Sequence, residues 1–150
     1  MSQENPLLGT WSLVSASAIY ADGSVTPEVY GANPKGYITY TAAGRMMVMF
    51  ARGDRPALSK PVGSPLSSEM DAIPTEELAR AFTSFSAYAG TYSIEGNTVT
   101  HRLEVASIPN RVGTDLVRTF TISGNRVTLR TAPTDQNGGL QVFDLVWERV

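Results

Sequence analysis

GTYSIEGNTVTHRLEVA, residues 90–106, has a period of two broken once by a turn. In an extended chain Val99, His101, Leu103 and Val105 fall on one face, and Thr100, Arg102, Glu104 and Ala106 on the other. Between the runs Gly90–Glu95 and Thr98–Ala106, the triplet Glu95-Gly96-Asn97 offers the Gly and Asn that left-handed hairpin positions favour. The stretch therefore predicts an antiparallel pair with one apolar face.

The same rhythm extends in both directions and predicts eight strands in all. Upstream lie Gly9–Tyr20, with Trp11 and Leu13 on one face, then Gly36–Thr41 and Arg45–Ala51 joined by Ala42-Ala43-Gly44. Downstream lie Thr114–Ser123, Arg126–Thr131 and Leu140–Glu148, the first two linked by Ser123-Gly124-Asn125. Residues 52–74 hold prolines at 56, 61, 65 and 74 and have no periodicity, so they read as a long loop. Thr75 is the expected N-cap of one helix running to Tyr88, with Glu76 and Glu77 in its first turn, Leu78, Phe82 and Phe85 at helical spacing, and Gly90 as its stop. Eight strands with mostly hairpin links argue for an up-and-down barrel, since closure removes exposed sheet edges. The competing architecture is a β-sandwich. In the barrel, the loop and helix are expected to flank or cover one opening.

A chain of 150 residues suits one domain, 1–150, with a real core. Its twelve Lys and Arg are scattered among fourteen acidic residues, for a net charge of −2, so no basic stripe for nucleic acid is present. The absence of cysteine excludes disulfides, thiolate nucleophiles and Cys-ligated metal, and it suits a reducing cytoplasm. The start, Met1-Ser2-Gln3-Glu4-Asn5-Pro6, lacks the pattern of a signal peptide. No stretch approaches the roughly 20 apolar residues of a membrane-spanning helix. A cytoplasmic protein with no membrane or nucleic-acid partner is the resulting expectation; oligomeric state is not legible.

An eight-stranded barrel has an interior that either is filled or holds one small ligand, so inward polar groups are the functional candidates. His101 is the only histidine and shares its face with three apolar residues. It reads either as a ligand partner and general base or as a core histidine satisfied by a tyrosine hydroxyl or a carbonyl. Arg118 alternates with Leu116, Phe120 and Ile122, so it needs an anion, a carboxylate or an aromatic face. It would anchor a ligand oxygen. Met47 and Met49, with Met46 on the opposite face, offer adaptable apolar surface or ordinary core filling. Tyr37, Tyr40, Tyr88 and Tyr92 offer hydroxyls, and Leu103 and Phe120 add apolar wall. A single histidine with no acid at recognisable spacing excludes the familiar metal sites, and no nucleophile elbow, phosphate loop or dinucleotide fingerprint is present. No cofactor is expected.

Leu8-Gly9-Thr10-Trp11-Ser12-Leu13-Val14-Ser15 looks like the Gly-x-Trp opening strand of lipocalin and calycin barrels. An ordered set follows: 33–40 NPKGYITY, 88–92 YAGTY, 99–101 VTH, 108–114 IPNRVGT and 145–149 LVWER. Together these resemble the bacterial and fungal family of lipocalin-like domains over nearly the whole chain. The resemblance implies a lipocalin-like barrel, a small, mainly apolar ligand, and an arginine from a late strand, Arg118 or Arg149, stacked over Trp11 as a cation-π lid on the closed end. It also implies a second His and a Trp where this chain has Arg102 and Arg111. Such barrels host binders as well as natural-product cyclases and isomerases. The leading expectation is reversible binding of a small hydrophobic molecule, with a cofactor-free isomerase or cyclase acting on a polyketide- or terpenoid-like substrate as the alternative, His101 moving the proton and Arg118 or a tyrosine steadying an oxyanion. A filled, purely structural barrel is the third reading.

Overall fold

The structure, a computed structural model, describes residues 5–136 and 139–150. Residues Met1–Glu4 of the polar start lie outside the described residues. Ten strands form in chain order: β1 Gly9–Tyr20, β2 Val25–Thr26, β3 Lys35–Tyr40, β4 Arg45–Ala51, β5 Phe85–Glu95, β6 Thr98–Ala106, β7 Asp115–Ser123, β8 Arg126–Thr131, β9 Thr134–Gln136 and β10 Gly139–Arg149. All pair antiparallel, and β1 pairs with β10 as well as β3, which closes eight of them into a barrel. The short β2 and β9 extend the partners β1 and β10 at the same end.

The register sorts the connections. The tight β3–β4, β5–β6 and β7–β8 hairpins share one end of the barrel with the start of β1 and the end of β10. The longer connections emerge at the other end. At the hairpin end the chain closes on itself: the Trp11 ring is fully buried, its Nε1 donates to the Leu7 carbonyl at 2.9 Å, and the Arg149 guanidinium lies 4.0 Å from the ring centroid. Arg149 also donates to the Leu8 and Pro6 carbonyls at 2.6 and 3.0 Å. Gly9 makes this approach possible. Its φ is +113°, and a Cβ there would sit 3.1 Å from Arg149 Nη1.

Two bulges change which face points inward. In β1 the pairing with β10 skips Val14, so the inward set passes from Trp11 and Leu13 to Ala16 and Ala18. In β6 it skips Glu104, so Val105, expected inward, faces out, while Ala106 packs against the core. Opposite that bulge stands Gly90, where a Cβ would overlap the Arg102 carbonyl. Gly90 is thus a strand residue that admits a bulge, not the helix stop its position suggested. Leu7, Trp11, Met46, Val99 and Val127 fill the hairpin half, each worth about 1.5–3 kcal/mol on burial.

The helix is shorter than its apolar spacing implied. It spans Thr75–Thr83, with Pro74 at the N-cap position and no side-chain cap, and Phe85 and Tyr88 belong to β5. Strand pairing of Phe85–Thr91 with β4 overrides the helical spacing. Thr75 is the first helical residue. Residues 52–74 include a 3-10 turn at Ser68–Ala72 and fold onto the helix, where Glu77 accepts from the Ser59 N–H and hydroxyl at 2.7 and 2.6 Å.

The closure at Trp11 is open to a stability test. Arg149→Met is expected to cost about 1–2 kcal/mol, a discounted value because the guanidinium is exposed, and Gly9→Ala about 1–3 kcal/mol. In urea melts the double variant should lose less than the sum, because each change disrupts the same contact.

Candidate functional site

The half of the barrel away from the hairpins is hollow. β1 brings only Ala16 to its wall, and β3 and β4 bring Ile38, Val48 and Phe50. From β8 and β10 come Leu129, Thr131, Phe143, Leu145 and Trp147, and from the connection before β3 come Val29 and Tyr30. The cavity is about 330 Å³, near the lower end of the roughly 300–1,000 Å³ typical of small-molecule sites. Tyr88, Arg111 and Arg118 complete the lining. The ring of Tyr30 meets that of Phe50 edge-on at 5.0 Å, and burial raises the pKa of its hydroxyl. No residue between 52 and 84 lines the cavity, so the expectation that the Pro-rich loop and helix cover the site is not supported.

His101 lies deeper, fully buried. Both ring nitrogens are engaged, Nε2 with the Tyr40 hydroxyl at 2.7 Å and Nδ1 with the Tyr88 hydroxyl at 2.8 Å. Burial, reinforced by the nearby charges of Arg118 and Arg111, lowers its pKa to about 3, so the ring is neutral at physiological pH. Burial likewise raises Tyr88, and it raises Tyr40 well above the usual phenol value. His101 does not itself line the cavity; Tyr88 stands between them.

Arg118 reaches the cavity, and Arg149, not Arg118, stacks on Trp11. Burial lowers the Arg118 pKa, yet a guanidinium stays charged in proteins. Arg111, from the 3-10 turn at Pro109–Arg111, sits 5.2 Å from the Tyr88 ring centroid. It occupies the position where the resemblance implied Trp.

Of the other expected site residues, the structure turns three away. Tyr37, Met47 and Met49 are 55%, 51% and 48% exposed on the outer wall. The pairing of Tyr40 with Met46 and of Ile38 with Val48 sends the even-numbered side chains of both strands inward. Tyr92 serves the hairpin end, donating to the Thr41 carbonyl at 2.6 Å and accepting from Asn5 Nδ2 at 2.7 Å. Tyr40, Leu103 and Phe120 are buried core beneath the cavity rather than its lining. Arg111 and Tyr30 were missed, because strand alternation says nothing about connections. The smallness of Ala16 and Ala18 on an inward face was the readable sign of a hollow.

A family model described as lipocalin-like domain matches residues 8–150. The chain belongs to this lipocalin-like family. Among solved structures, a lipocalin-like protein from Bacteroides uniformis is 12% identical, with 97% of this chain and 100% of that chain covered and a TM-score of 0.48. An uncharacterized protein from Bacteroides eggerthii is 11% identical, with 96% and 99% covered and a TM-score of 0.44. No curated protein matches the chain. In this lipocalin-like chain no group of three or more His, Asp or Glu side chains among the described residues is placed to hold a metal. No helix among them is long and apolar enough to cross a membrane.

The neutral histidine has a measurable consequence. Between pH 6.5, its ordinary value, and about 3 the unfolded chain binds a proton that the folded barrel does not. This stability is complete above pH 6.5 and lost as pH falls through that window. Denaturant melts should show a loss of about 2–3 kcal/mol from pH 7 to 4.5. His101→Gln should flatten that slope while sparing the loss at lower pH that follows from the depressed carboxylates of Asp54 and Glu77.

Proposed function

We propose that this lipocalin-like barrel binds a small, mainly apolar molecule reversibly in the cavity between Ala16 and Trp147. The observation that carries the reading is the division of the barrel into a filled half and a hollow half. A structural barrel gains most by filling its interior, since each missing methylene forfeits about 0.8 kcal/mol. Here Ala16 stands on an inward face four-hundredths exposed, beside a hollow of about 330 Å³. Apolar side chains form most of that wall, and a few polar groups converge on it, which is the composition of a ligand site. Trp147 remains in the wall for its packing area, although its indole N–H has no acceptor among the described residues.

The isomerase or cyclase alternative draws less support. His101 was its proton carrier, and a ring with both nitrogens bonded and a pKa of about 3 is a weak general base near neutrality. Tyr88 is the member of that network that reaches the cavity.

Binding is tested with the neutral fluorophore N-phenyl-1-naphthylamine. Its emission should rise saturably with the barrel at one-to-one stoichiometry, and Trp147 emission should be quenched in parallel. Ala16→Phe, which fills the hollow, should lower probe affinity at least tenfold while the urea midpoint holds or rises. A wild-type barrel with native circular dichroism and no probe uptake sinks the reading.

A further inference from the structure

The cavity carries positive charge that its own walls leave unanswered. Arg45, Arg52, Arg102, Arg126 and Arg130 each pair with a carboxylate on the surface. Arg118 and Arg111, the two that line the cavity, have no carboxylate partner among the described residues. Among the described residues, the only side-chain hydrogen bond of Arg118 runs from Nη1 to the Val117 carbonyl at 3.2 Å. The Arg111 charge is close enough to disfavour that of Arg118 further. Two guanidiniums facing one apolar hollow are costly when the hollow is empty of anions, and they are rewarded when one enters.

The tyrosine–histidine network adds a third donor. The Tyr40 hydroxyl is buried, and His101 Nε2 is its one hydrogen-bond partner among the described residues, so Tyr40 donates to Nε2. A neutral imidazole carries a single N–H. That proton therefore sits on Nδ1 and is donated to the Tyr88 oxygen at 2.8 Å. The hydroxyl hydrogen of Tyr88 is then left free to point into the cavity that its side chain lines.

We propose that the cavity's ligand is an organic carboxylate, its head held by Arg118, Arg111 and the Tyr88 hydroxyl and its apolar body by the wall around Ala16, Phe143 and Trp147. This rests on the reading of the hollow as a binding cavity. A carboxylate fits the donor set because its two oxygens accept about four hydrogen bonds, enough for a guanidinium fork and two further donors. The chain of Tyr40 and His101 positions Tyr88; it touches no ligand.

The test compares 2-naphthoate with 2-naphthamide, its neutral isostere, by titration calorimetry beside the N-phenyl-1-naphthylamine assay. Naphthoate should bind about 10–100-fold more tightly than the amide, as charge-assisted hydrogen bonds out of water allow. Arg118→Met should bring naphthoate down to the amide's level. Arg111→Met and Tyr88→Phe should each weaken naphthoate about tenfold, with amide affinity held within about threefold in all three variants as the check on folding. Equal affinities, failure of naphthoate to bind a barrel that takes up N-phenyl-1-naphthylamine, or a preference for 2-naphthalenesulfonate overturns the carboxylate proposal and leaves the binding cavity standing. If N-phenyl-1-naphthylamine fails too, the cavity reading itself falls. Long-range proton–nitrogen correlation spectra of the wild type settle the role of Tyr88 without any variant: Nδ1 should be protonated and Nε2 bare, and the reverse overturns it.

Discussion

Arg149 over Trp11 is the contact on which the rest of the barrel depends. It joins the first strand to the last at the point where the sheet must close, and it ties the chain before β1 across the end through the Pro6 and Leu8 carbonyls. The contact needs an indole with a polarizable face, a cation arriving from β10, and a residue at position 9 without a Cβ. The other inward cation lies elsewhere: Arg118 on β7, held by pairing with Val99 and Thr131, reaches the hollow.

From that sealed end the interior changes character along the strands. Trp11 and Leu13 fill the first turns of the barrel, and after the bulge at Val14 the same strand offers only alanine. The bulge costs regular pairing at one residue and changes which side chains look inward, a common means of re-aiming a strand beside a site. On β6 the bulge at Glu104 does the reverse service, turning Val105 out and Ala106 in. Ala16 is the small residue that lines the hollow, while Trp11, Leu13 and Leu103 belong to the buried core.

Much of this was legible in the sequence because a period of two leaves few choices. Four strands, Gly9–Tyr20, Arg45–Ala51, Thr98–Ala106 and Arg126–Thr131, lie where alternation and turn residues put them. His101 points inward as its apolar neighbours Val99 and Leu103 require. The failures have physical causes. In β4 methionines stand on both faces, so composition could not choose between Met46 and Met47; pairing with β3 chose. Phe85 continued a helical spacing that strand pairing overrode, and Val105 obeyed an alternation that the bulge interrupted. Arg111 lies in a connection whose path depends on tertiary contacts, and only the folded chain brings it over Tyr88 and into the cavity wall.

The polar economy of the interior bears on what the site can do. Tyr40 and His101 satisfy each other and His101 holds the Tyr88 oxygen, and such a network in a low-dielectric core is rigid and resists titration. Proton transfer near neutral pH asks for a group whose two charge states are both accessible. Burial pushes the histidine far down and the tyrosines up, so each group is held in its neutral form. Prepositioned neutral donors beside a permanent positive charge suit recognition, because groups already held in place lose little on binding. The same fixity that makes His101 a poor base makes it a good support for Tyr88, and it fits the proposed binding role better than proton transfer.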